Sequence, residues 1–93
     1  MIVWDEGKRA ANLAKHGLDF RDAWRVHESP WKLTFRSARK GENRQLDLAV
    51  VEDVLLAFVY VERSSAVRAI SLRRASRAER RMYEKAIRKG ESN

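Results

Sequence analysis

Among its 93 residues the chain has no cysteine, one proline, four glycines and two histidines. The lack of cysteine removes disulfide frameworks, zinc ribbons and thiol nucleophiles, so packing alone must hold the core. Scarce Pro and Gly leave no room for a long linker, and the length suits one domain, 1–93. The longest apolar run, Val54 to Val61, is 8 residues, far short of a membrane span. The opening Met1-Ile2-Val3-Trp4-Asp5 lacks the charged head and apolar stretch of a signal peptide, so a cytoplasmic location without a membrane partner is expected. There is no P-loop, GxSxG, HExxH or Gly-rich nucleotide loop. His16 and His27 stand 11 apart and the acidic residues are scattered, so neither a metal nor another cofactor is expected.

What is present is charge on a foldable background. The chain is 44% hydrophobic and 35% charged, too apolar for a disordered tail. Its net charge is +7, from 20 basic and 13 acidic side chains. Of the basic residues 14 are Arg, whose planar fork of donors matches phosphate better than a Lys point charge. The excess is uneven: residues 1–72 are net +2, whereas residues 73–89 are net +6. Arg77, Arg81, Lys85 and Arg88 recur at helical spacings of three and four. Such a stripe suits a nucleic-acid backbone, though a solvated helix face has the same look.

The patterning predicts an α+β domain. Met1 to Trp4 reads as a short strand. Asp5 is placed to cap a helix over 6–15 that ends at Gly17, with Ala10, Leu13 and Ala14 as its buried stripe. A second helix is expected from Asp19, burying Phe20, Ala23, Trp24 and His27, and stopped by Ser29-Pro30. Trp31, Leu33 and Phe35 alternate as a strand, 37–43 reads as a polar loop, and Leu46, Leu48 and Val50 mark a second strand. Val54 to Val61 is apolar on both parities and should be the central strand. Residues 67–73 alternate less cleanly and complete an antiparallel meander. Ser76 and Glu79 form a capping box for a last helix, packed on the sheet through Ala78, Met82 and Ala86, with 90–93 as a fraying tail. Trp4, Trp24 and Trp31 are read as core residues, though Trp31 follows Pro30 and could be exposed.

Metal-free RNA cleavage needs a group to take the 2′-OH proton, cations to hold charge on the phosphate, and a donor for the leaving oxygen. His16 or Glu79 could move the proton, with Lys15, Arg44, Arg63 and Arg73 as clamps and Tyr83 as donor. Each has a plainer role: His16 and Lys15 at a helix end, Glu79 in its cap, Arg73 as an edge residue, Tyr83 in the core. Arg44 shares the parity of Leu46 and Leu48, so it points to their face.

Val3-Trp4-Asp5, Lys8, Asn12, Lys15-His16-Gly17-Leu18, Phe20 and Ala23, followed by Gly41-Glu42-Asn43-Arg44, Ile70 to Ala75 and Glu79 to Tyr83, resemble the BrnT family of toxins. The resemblance implies a compact RelE-like ribonuclease fold and a metal-independent endoribonuclease that arrests growth. It implies a BrnA-like antitoxin with a ribbon-helix-helix domain as partner, RNA as substrate, and operator DNA reached only through the antitoxin. Lys15, His16, Arg44, Arg73 and Glu79 are the positions carried over as catalytic. Arg74, Arg77, Arg81 and Tyr83 are the expected RNA-binding residues. The competing readings are a basic module without catalysis and a toxin that acts on a protein target such as gyrase.

Overall fold

The computed structural model describes residues 1–39 and 42–91, with side chains described for 1–36 and 43–90. Five strands form one sheet in the order β1-β5-β4-β3-β2: β1 Ile2–Val3, β2 Leu33–Arg39, β3 Glu42–Val51, β4 Val54–Arg63 and β5 Ala66–Arg74. The helices are α1 Glu6–His16, α2 Trp24–His27, preceded by a 3-10 turn at Phe20–Asp22, and α3 Arg77–Glu91. The run Val54–Val61 lies in the middle strand, as its two-sided apolarity requires.

The sheet is mixed, not an antiparallel meander throughout. Strands β2 to β5 are antiparallel neighbours, but β1 joins β5 in parallel, Ile2 opposite Val67. The meander leaves β5 at an edge, and the chain start covers it, with Val67 N–H donating to Met1 C=O at 2.9 Å. Past β1 the same edge is covered by a side chain. Asn12 of α1 donates to Leu72 C=O at 2.9 Å and accepts from Leu72 N–H at 3.1 Å, an amide standing in for a strand.

That role decides which face of α1 turns inward. Asn12 is its buried residue, whereas the expected stripe of Ala10, Leu13 and Ala14 is exposed. Both ends of α1 form as expected. Asp5 accepts from Lys8 N–H at 3.0 Å, and Gly17 takes φ 71° while its N–H reaches Leu13 C=O. The second helix breaks into a 3-10 turn and one short α-helix, so the buried face becomes Phe20, Ala23 and Val26 at three-residue spacing. Trp24 and Trp31 are therefore not core: they are 50% and 81% exposed. The expected polar loop over 37–43 is largely strand, because β2 runs to Arg39 and β3 starts at Glu42; residues 40–41 lie outside the described residues.

Two cores result, one on each side of the sheet. Phe20, Ala23 and Val26 pack on Ala49, Leu56, Phe58, Tyr60, Ala69 and Leu72. Within that side Asp47 is fully buried and accepts from Thr34 Oγ1 (2.7 Å), Tyr60 OH (2.9 Å) and Lys32 Nζ (3.1 Å), with His27 Nδ1 2.8 Å away. Burial, with the Asp47 carboxylate beside it, pushes the Tyr60 hydroxyl pKa up. The other core is small: Leu48, Leu55 and Ala57, with Phe35, Leu46, Ala75 and Tyr83 against it.

Helix α3 touches that second core through Tyr83, not through the expected Ala78, Met82 and Ala86. Ala78 and Met82 are exposed and Ala86 is half-buried. The helix also continues through Gly90 to Glu91, while 92–93 lie outside the described residues.

Candidate functional site

The second sheet face is only partly covered, and its open part holds three adjoining depressions. The first, about 290 Å³, lies between α1 and β5, lined by Lys8, Asn12, Lys15, His16, Ile70 and Ser71. The second, about 310 Å³, is lined by Lys8, Arg44, Val61, Arg63, Arg68 and Ile70. The third, also about 310 Å³, includes Arg44, Leu46, Val59, Ser71, Arg73 and Glu79. Each pair shares a wall residue (Lys8, Arg44 or Ser71), and Ile70 lines all three. The three therefore make one branched cationic groove.

A bulge in β5 builds that groove. The register shifts between Val59 and Tyr60: Ser71 pairs with Val59, but Ala69 pairs with Tyr60, leaving Ile70 as the extra residue. Burial along β5 falls at Val67 and Ala69 and then at Leu72, a step of two and then three. Strict alternation would place Arg68 and Ser71 on opposite faces. The extra residue puts both on the groove face, as bulges do when they re-aim side chains. The imperfect alternation of residues 67–73 in the sequence is the trace of this bulge.

The structure brings all five expected catalytic residues to this groove. Lys15 and His16 end α1 on one side, where Asn12 clamps the helix to β5. His16 is half-buried and makes no hydrogen bond among the described residues, while Gly17 N–H serves the helix end. Its imidazole is not spent on capping. Arg44 separates the second and third depressions and keeps its Nε buried.

Arg73 and Glu79 close the far end as a two-pronged pair, Nη1 to Oε1 at 2.7 Å and Nη2 to Oε2 at 3.0 Å. Glu79 also completes the capping box: Oε1 accepts from Ser76 N–H at 2.8 Å, and Glu79 N–H donates to Ser76 Oγ at 3.1 Å. The hydrogen bonds that Arg73 donates hold the Glu79 carboxyl below its ordinary value, and the same bonds raise Arg73. A carboxylate so held is a weak proton acceptor near neutrality, and it offsets the positive charge of Arg73.

The expected RNA-binding set is not brought together here. Arg74 follows Arg73 on the opposite parity and is exposed, Arg77 and Arg81 are exposed on α3, and Tyr83 packs in the second core. None of the four lines the three depressions. Lys8, Arg68, Ile70 and Ser71 also line the groove, outside the expected set; irregular alternation in β5 is the sequence signal for the last three. Among the described residues no three of His, Cys, Asp and Glu gather as metal ligands. No described helix is long and apolar enough to cross a membrane.

A family model described as ribonuclease toxin, BrnT, of type II toxin-antitoxin system matches residues 4–79. No curated protein matches the chain. The matched span holds α1, the whole sheet from β2 to β5 and the first turn of α3, and with them every residue that lines the groove.

Proposed function

We propose, from the fact that this chain belongs to the BrnT family of type II ribonuclease toxins, that it is a metal-independent endoribonuclease of RelE-like fold working in the cytoplasm as a single toxin domain. The observation that carries the proposal is the branched groove, where one imidazole and a ring of cations face a common space. His16 exchanges the 2′-OH proton, because an imidazole can act as both general base and general acid. Lys15 and Arg44 hold the phosphate as negative charge grows on it. Arg73 adds a further clamp, oriented by Glu79, whose hydrogen bonds favour that supporting role over the base role. Arg74, Arg77, Arg81 and Tyr83 meet RNA outside the groove.

A type II toxin has an antitoxin partner. The partner in this reading is BrnA-like, carries a ribbon-helix-helix domain, and alone brings the toxin to operator DNA. Residues 73–89, net +6, are the surface that an acidic segment of it would meet. Association should then quicken at low salt, because exposed charges steer encounter.

The test is cleavage of a mixed RNA pool in chelator by the parent, His16→Ala, Arg44→Ala and Arg73→Ala, each first shown to be folded. His16→Ala should lose about a hundred- to ten-thousandfold in rate. Each Arg variant should lose on the order of a hundredfold. Full activity in all three would place the chemistry elsewhere. No cleavage by the folded parent, with or without ribosomes, would leave a binding module or a toxin with a protein target.

A further inference from the structure

The second depression is built differently from its neighbours. Among the described residues that line it, Lys8, Arg44, Arg63 and Arg68 are cations, and Val61 and Ile70 are aliphatic. Its floor is fixed by strand register: Arg44 on β3 is opposite Val61 on β4, and Val61 is opposite Arg68 on β5. Strands lie about 4.8 Å apart, so the Arg44 and Arg68 backbones flank Val61 at roughly 10 Å from each other. Two extended guanidiniums on one face at that separation can close on a single anion between them. Arg63, two residues along β4 from Val61, and Lys8, from α1, complete the ring.

The geometry points to this depression as a subsite for one backbone phosphate of single-stranded RNA, next to the scissile one and not itself cleaved. The assignment rests on the ribonuclease reading above. Arg44 and Lys8 are the reason for adjacency: Arg44 also walls the depression of Arg73 and Glu79, and Lys8 also walls that of His16. A strand with one phosphate beside His16 has its neighbouring phosphate within reach of the ring. Among the described residues the lining holds no aromatic side chain, so the subsite grips backbone and does not stack a base. Arg forks pair with carboxylate as well as with phosphate, so what favours RNA over a carboxylate-bearing protein segment as occupant is the wall this depression shares with those of His16 and Arg73.

The experiment uses a 2′-O-methyl oligonucleotide, which binds but cannot be cut through its 2′ position, with single methylphosphonate replacements scanned along it. The proteins are the parent and the triple variant Lys8→Gln/Arg63→Gln/Arg68→Gln. All three positions are exposed, so the fold should survive, as circular dichroism would show. The parent should lose about tenfold in affinity at one replaced phosphate, and the triple variant less than twofold there. The slope of log affinity against log salt should be shallower in the variant by about 0.7, one phosphate contact on a single strand. On cleavable RNA the variant should raise KM by more than it lowers kcat.

Identical scan profiles and salt slopes for the two proteins would overturn the subsite, as would an oligonucleotide that the parent does not bind. If polyglutamate displaced the oligonucleotide from the parent but not from the triple variant at matched charge concentration, the ring would belong to an acidic protein segment instead. Failure of the ribonuclease reading shows separately, as a parent that binds the scanned oligonucleotide but cuts no RNA.

Discussion

Replacing Glu79 with Gln separates its possible roles. The substitution keeps an oxygen for the Ser76 N–H and the helix cap, but removes the charge that holds Arg73. The pair is mostly covered, with 28% of the Arg73 side chain and 14% of the Glu79 side chain exposed. A surface pair contributes at most about 1 kcal/mol. Breaking a fully buried one costs about 3–5 kcal/mol. This pair lies between, and Gln still accepts one bond, so a loss of about 1–2 kcal/mol is expected. For a domain of this size that is roughly 5–15 °C in Tm.

The loss should depend on pH in a defined direction. The folded carboxyl is held below its ordinary value of 4.5, so its stabilisation is complete above that value and fades as pH falls through the folded one. Urea titrations of parent and Glu79→Gln should differ at pH 7, and the gap should close as pH falls below 4.5 and through the folded value. Equal midpoints at pH 7, or a gap that persists unchanged into acid, would refute the ion-pair account. In chelator at pH 7, RNA cleavage should fall less than about tenfold, since the clamp stays charged. A fall of about a hundredfold or more would restore Glu79 as the base.

Asn12→Ala should cost about 2–3 kcal/mol, because it leaves the Leu72 N–H and C=O unpaired; cleavage should fall with it, since α1 carries Lys15 and His16, and a parent-like melt would contradict this. Asp47→Ala removes the acceptor of a buried network and should cost about 3 kcal/mol in urea unfolding, with RNA cleavage at permissive temperature unchanged. Gly17→Ala forces an alanine to φ 71°, costing about 1 kcal/mol by thermal melt without any steric clash. Met82→Asp should shift Tm by only a few degrees, whereas Tyr83→Ala should cost about 2 kcal/mol or more; the reverse order would mean that α3 packs through Met82.

Local rules explain most of the elements. Asp5, Gly17 and the Ser76–Glu79 box are side-chain-to-backbone devices that act within four residues, so they are legible without any tertiary context. The middle position of Val54–Val61 follows from apolarity on both parities, which only a strand covered on two faces can use. The location of the charge excess at the end of β5 and along α3 is likewise plain in the sequence.

What the sequence by itself could not decide depends on partners far along the chain. Asn12 looks like a polar residue on a weak helix, and becomes the inward face only because β5 offers an open edge sixty positions away. Asp47 looks like a break in an apolar strand, and is buried because His27 of α2, Thr34 of β2, Tyr60 of β4 and Lys32 from the connection before β2 come to meet it. The groove depends on one extra residue at Ile70. Which residue of a strand bulges is fixed by pairing with its neighbours, so alternation alone cannot assign Arg68 to the face of Ser71 and Arg73. Periodicity reports which way a side chain points along its own element; tertiary pairing decides what it faces.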